Sequence, residues 1–203
     1  LRKVRSQGSA SDEFLRNNFT DYYDDIVYFS TNSFVSPTEH GGFDSSEHFH
    51  ETIPVYLEDL DEEKKMQTPE AVTSYFLEHE SKYPHKRKIL HFMQPHGAYI
   101  GDFQLQDQNA DVTDLWGRYP KEQIWKAYCS NLKRVLEEVE KLLEELDGKI
   151  VVTADHGEAF GEKWVVGHPA GVRIQELIEV PWLVVNKGNR PQINDAELPD
   201  IDI

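Results

Sequence analysis

Residues 121–154 constrain the fold more than any other stretch. In "KEQIWKAYCSNLKRVLEEVEKLLEELDG", Ile124, Tyr128, Leu132, Val135, Val139, Leu142 and Leu146 recur at spacings of three and four. That spacing predicts one apolar stripe along a long helix. Asp147-Gly148 supplies the stop, because glycine accepts the backbone that ends a helix. A run of strand formers, "KIVVTA", follows at once at 149–154. A coiled coil would satisfy the helical pattern alone. The strand directly behind it favours a crossover helix packed on a sheet.

Three more segments extend this pattern. "DDIVYFST" at 24–31 reads as a buried strand, and "KRKILHFMQ" at 86–94 as a second, stopped by Pro95. Thr68-Pro69-Glu70 starts a helix whose face carries Val72, Tyr75, Phe76 and His79. "VPWLVV" at 180–185 is a fourth strand. Residues 36–66, with Pro37, Gly41, Gly42, Pro54 and acids at 58–63, read as one long loop. Residues 95–119 read as another, and 187–203 as a polar tail. The expectation is a single α/β domain over 1–203, with a mainly parallel sheet flanked by helices. In such sheets ligands lie beyond the carboxyl ends of the strands. That rule gathers Thr31-Asn32, His96 and Asp155-His156 on one edge.

Charge narrows the partners. The chain has 203 residues, with 37 acidic against 21 basic side chains and a formal net charge of -16. A nucleic-acid backbone and an anionic membrane surface are excluded as expected partners. No apolar run approaches the ~20 residues of a membrane span. "LRKVRSQGSASDEF" carries no signal-peptide pattern, which leaves the compartment open. Cys129, the sole cysteine, excludes an internal disulfide and reads as a small buried helix residue.

The residues able to carry chemistry cluster at 149–168, "KIVVTADHGEAFGEKWVVGH". Asp155 and His156 end a strand, where side chains no longer have to alternate, so both can face one ion. A carboxylate with an imidazole suits a divalent ion. Zn or Mn fits better than Ca or Mg, which prefer oxygen alone. Gly157 permits close backbone approach. The alternative is an aspartate capping the next turn, with His156 as its partner. His168, between Gly167 and Pro169, is a candidate third ligand or a donor to a substrate oxyanion. Glu158 and Glu162 read as carboxylates behind the ligands. His96, in "QPHGAY", could bind an anion or protonate a leaving oxygen. Tyr99 could wall the same pocket. His48 and His50, in "EHFHE", have the spacing of a metal pair but read as solvated loop residues.

Together these residues resemble a known family. "VVTADHGEAFGE", "GHPAG" and "ELIEVPWLVV" resemble the C-terminal part of the sulfatase catalytic domain, in the alkaline-phosphatase superfamily. "ILHFMQPHGAY", "DIVYFSTNSFVS" and the helix leading into "TADHGE" are similar to other parts of it, over about 24–186. The resemblance implies Asp155 and His156 as ligands of a divalent ion, and His96 and His168 as residues facing a sulfate or phosphate ester. It implies in-line displacement by a metal-activated nucleophile, through a covalent intermediate that is hydrolysed or transferred. The Cys/Ser-x-Pro-x-Arg nucleophile motif is absent, as is an acidic pair ending an N-terminal strand. The expectation is therefore a domain incomplete at its N-terminal side, with nucleophile and first ligands outside this chain and little turnover. An open sheet edge would then invite a homodimer. The alternatives are a degenerate, non-catalytic binding protein on the same scaffold, and a plain α/β domain.

Overall fold

The fold was described from a computed structural model, which describes residues 1–37, 42–58, 67–107, 110–189 and 193. Its main elements are β1 (Arg2–Arg5), α1 (Ser11–Asn18), β2 (Tyr23–Ser30), β3 (Phe49–Pro54), α2 (Pro69–His79), β4 (Arg87–His91), α3 (Lys121–Glu145), β5 (Gly148–Thr153) and β6 (Glu179–Lys187).

Two three-stranded sheets carry the domain. In one, β2 lies between β3 and β4, and both pairings are parallel. In the other, β6 lies between β1 and β5, and both pairings are antiparallel. The apolar run of β2 follows from its place at the centre. Val27 and Phe29 pack with Val72, Phe76 and Leu142 from α2 and α3. Ile26 and Tyr28 pack with Leu15, Phe43 and Phe49 on the opposite face. Burying each such side chain is worth roughly 1.5–3 kcal/mol, so this strand anchors the core. On β5, by contrast, Ile150, Val151 and Val152 are only half-buried.

Both long helices form where their sequences place them. The Thr68 hydroxyl accepts from Ala71 N at 3.3 Å, with Pro69 in the first turn of α2. On α3, Ile124, Val135 and Leu142 are buried as expected, but the stripe is rotated. Ala127, Asn131 and Glu138 complete it. Leu132 faces outward instead, and Tyr128 and Val139 are half-buried.

The reading of 36–66 as one loop needs correction. Phe49–Pro54 forms β3, in parallel register with β2. Its sequence, "FHETIP", alternates polar and apolar residues too weakly to announce a strand. Residues 38–41 and 59–66 of that stretch, including Gly41 and most of the acidic cluster, lie outside the described residues. So do 190–192 and 194–203 of the tail. At the N-terminus, β1 and α1 form where no element was expected.

Candidate functional site

The carboxyl ends of β2, β4 and β5 converge on one edge, where α1 begins. Asp155 leaves the end of β5. Its Oδ1 accepts from the His156 backbone N–H at 2.9 Å. Its Oδ2 accepts from the Ser11 hydroxyl at 2.6 Å. The Ser6 hydroxyl donates to the Asp155 carbonyl. Gly157 is required by close packing: a Cβ there would lie 2.0 Å from the Glu176 carbonyl oxygen.

The His156 ring is oriented by its own loop. Its Nδ1 lies 2.8 Å from the Gly157 carbonyl. A carbonyl can only accept, so Nδ1 carries the proton and the lone pair sits on Nε2. Nε2 lies 3.4 Å from Ser11 Oγ and 3.7 Å from Asp155 Oδ2. Three donor atoms thus form a triangle with edges of 2.6, 3.4 and 3.7 Å. Ligands about 2.0 Å from a tetrahedral ion stand roughly 3.3 Å apart; the two edges to His156 Nε2 approach that spacing, while the 2.6 Å edge is the Ser11–Asp155 hydrogen bond. Among the described residues, no group of three or more His, Cys, Asp and Glu side chains surrounds a common point. The triangle is therefore short of a full shell without further ligands.

Burial pushes the Asp155 carboxyl up. The neighbouring imidazoles of His156 and His91, the Ser11 hydroxyl and the His156 N–H outweigh it and hold the group below its ordinary range. The site keeps an anion in a buried place, as a cation ligand requires.

The two other expected histidines join the pair. The His168 ring stacks on His156, centroids 4.3 Å apart, and meets His96 edge-on at 5.2 Å. Glu158 holds His168 Nδ1 at 3.0 and 3.2 Å. Burial pulls the His168 imidazole down. The hydrogen bond and charge of Glu158, with Asp155 and Asp111 behind it, raise it above the ordinary value. His96 Nδ1 lies 2.6 Å from the Gly97 carbonyl.

Other expected residues are engaged elsewhere. Glu162 binds Lys121 at 2.6 Å and the Phe160 N–H at 2.5 Å, so it braces its loop and does not stand behind the ligands. His50 binds Asp24 at 3.0 Å, while His48 stacks on Phe43, so the two form no metal pair. Tyr99 is buried in an apolar cluster with Leu105, Val112 and Leu115. Thr31 donates to the His91 carbonyl at 2.6 Å, and Asn32 closes its own turn on Phe34 N.

Sequence reasoning missed two residues at this edge. Ser11 opens α1, where the helix dipole also favours negative charge. Its signal was a Gly- and Ser-rich turn, "SQGSAS", between two short elements. His91 ends β4 and accepts or donates at Nδ1 with the buried Tyr28 hydroxyl, 2.9 Å away. The Asp155 charge acts on both Tyr28 and His91.

A family model described as Sulfatase matches residues 9–203. The fold is similar to the soluble domain of lipooligosaccharide phosphoethanolamine transferase A from Neisseria meningitidis. The TM-score is 0.66 at 17% identity, over 90% of this chain and 64% of that one. This chain therefore corresponds to under two-thirds of that domain's length. No curated protein matches the chain. No helix among the described residues is long and apolar enough to cross a membrane.

Proposed function

This chain belongs to the sulfatase family, and we propose that it acts as a metal-dependent hydrolase or transferase on sulfate or phosphate esters. The observation that carries the proposal is the donor triangle of Asp155, His156 and Ser11, with His168 stacked against it. Asp155 and His156 are the residues that would hold a divalent ion, Zn or Mn before Ca or Mg. Such an ion supplies Lewis acidity and lowers the pKa of a nearby hydroxyl.

The chain's own groups divide the remaining work. Ser11 is proposed as the nucleophile, in place of one outside the chain. Its proton, now donated to Asp155 Oδ2, passes to solvent water as Oγ attacks sulfur or phosphorus, and Ser11 regains one when the transferred group leaves it. The bond from sulfur or phosphorus to the ester oxygen breaks, and His168, whose imidazolium form Glu158 favours, is suited to protonate the departing oxygen. His96 faces the same anion. Water or an acceptor alcohol then takes the group from Ser11, which separates hydrolysis from transfer.

Two ligands and a hydroxyl leave the metal shell short, so sustained turnover by this chain alone is not expected. β4 and β5 each pair on one side only among the described residues. Those open edges support the reading that further chain completes the sheet, or that a second copy pairs there.

The test is covalent trapping. The chain is incubated with Zn or Mn and an aryl sulfate or aryl phosphate, then digested and analysed by mass spectrometry. A sulfuryl or phosphoryl group on the Ser11 peptide, absent in Ser11→Ala, supports the reading. Turnover that survives both Ser11→Ala and Asp155→Ala overturns it. Metal and phosphate binding with neither adduct nor turnover would favour the degenerate binding protein.

A further inference from the structure

Asn131 lies midway along α3 and is fully buried within a stripe otherwise formed by Ile124, Ala127, Val135, Glu138 and Leu142. A buried amide is costly unless its hydrogen bonds are made. All four of its positions are used. Oδ1 accepts from the backbone N–H groups of Ile100 at 2.7 Å and Gly101 at 2.9 Å. Nδ2 donates to the carbonyls of Ala98 at 2.9 Å and His96 at 3.1 Å, with the Pro95 carbonyl at 3.5 Å. The reverse orientation would set carbonyl against carbonyl, so the network fixes the amide.

Every partner belongs to the loop that carries His96. Neighbours on α3 grip the same loop. Ser130 Oγ accepts from Phe103 N at 2.9 Å, and Arg134 donates to the Ile100 carbonyl at 2.5 Å while holding Glu70 at 2.8 and 3.0 Å. The loop is pressed close: a Cβ on Gly101 would lie 2.5 Å from the Ser130 backbone. The His96 ring is set by the Gly97 carbonyl, which lies between the two carbonyls that Asn131 holds.

We propose that Asn131 is the positioning residue for His96, fixing the ring against His168 by clamping the backbone of residues 96–101 to α3. It touches no substrate, and its effect on binding rests on the reading of His96 as an anion-facing residue. Asn131→Asp keeps shape and acceptor but turns both donors into oxygen facing carbonyls. Asn131→Leu removes all four bonds.

The test combines imidazole NMR of the full chain with an inorganic phosphate titration. In both variants the His96 cross-peak should shift and broaden, while those of His48 and His50 stay in place. Phosphate affinity should fall about tenfold or more, as small misplacements of binding groups do. Unchanged His96 signals in a folded variant, or all histidine signals moving together, would overturn the proposal. Wild-type hydrogen exchange needs no variant: Ile100 and Gly101 amides must be protected, and fast exchange at both overturns the clamp. A wild type that binds no phosphate sinks the functional reading, while the His96 signal and amide protection still decide the role of Asn131.

Discussion

On the proposed metal reading, replacing Asp155 by asparagine should remove the stabilisation expected from a divalent ion. The substitution keeps the shape of the side chain and its bond to the His156 N–H. It removes the one negative charge in the donor triangle of 2.6, 3.4 and 3.7 Å edges. Metal that binds only the folded state at a hundredfold excess over its Kd stabilises it by about 2.7 kcal/mol. For a chain of 203 residues, about 2–4 °C in Tm accompanies each kcal/mol. The parent should therefore melt about 5–11 °C higher with saturating Zn or Mn, and Asp155→Asn should show almost none of that rise. The comparison must be made within each variant, because the metal-free proteins also differ. The Asp155 carboxyl sits below its unfolded value, so it adds stability at neutral pH that is lost as pH falls through the folded value. Differential scanning fluorimetry with and without metal reads the difference. Glu162→Gln is the control, since its carboxylate is committed to Lys121 and the Phe160 N–H. A parent with no metal-dependent rise, or an Asp155→Asn protein with the full rise, would refute the assignment.

Two further outcomes are expected. His168 is raised above its ordinary value of about 6.5, so phosphate affinity should hold above that pH and fall as pH rises through the folded value. Stability carries the same sign, present in full below about 6.5 and lost as pH rises from there through the folded value. In Glu158→Gln, burial is no longer outweighed by a facing carboxylate, so the fall should begin at lower pH; an unmoved profile would show that Glu158 does not govern His168. On β5, the half-buried Ile150, Val151 and Val152 lie on a strand that, among the described residues, pairs only with β6. The chain should dimerise by light scattering, and Val151→Lys should return it to monomer, because an edge lysine resists strand pairing. A parent that stays monomeric at all concentrations would count against that edge as an interface.

What the sequence disclosed follows from how each residue is held. β2 was legible because both its faces are buried, which forces the run Ile26–Phe29 to be apolar throughout. β1 was not, because "RKVR" is mostly exposed and owes its place to pairing with β6. The helix α3 was legible in extent but not in rotation. Asn131 and Glu138 occupy its buried stripe by satisfying their polar groups, and a hydrophobic pattern assigns such residues to water.

The site divides along the same line. Asp155, His156, His168 and His96, the residues proposed to act directly, stood out because strand ends gather side chains and few residue types suit that chemistry. Ser11 could not, since serine is common and nothing near it in sequence points to Asp155, 144 positions away. His91 was hidden inside an apolar run, where it reads as core; only its hydrogen bond to Tyr28 and the nearby Asp155 charge mark it. Asn131 lies deepest, because it acts on backbone atoms whose partners are set by the fold and not by their side chains. A residue that touches substrate must advertise its chemistry in its type. A residue that places another need only fit, and its role emerges when the hydrogen bonds of a buried polar group are followed to where they end.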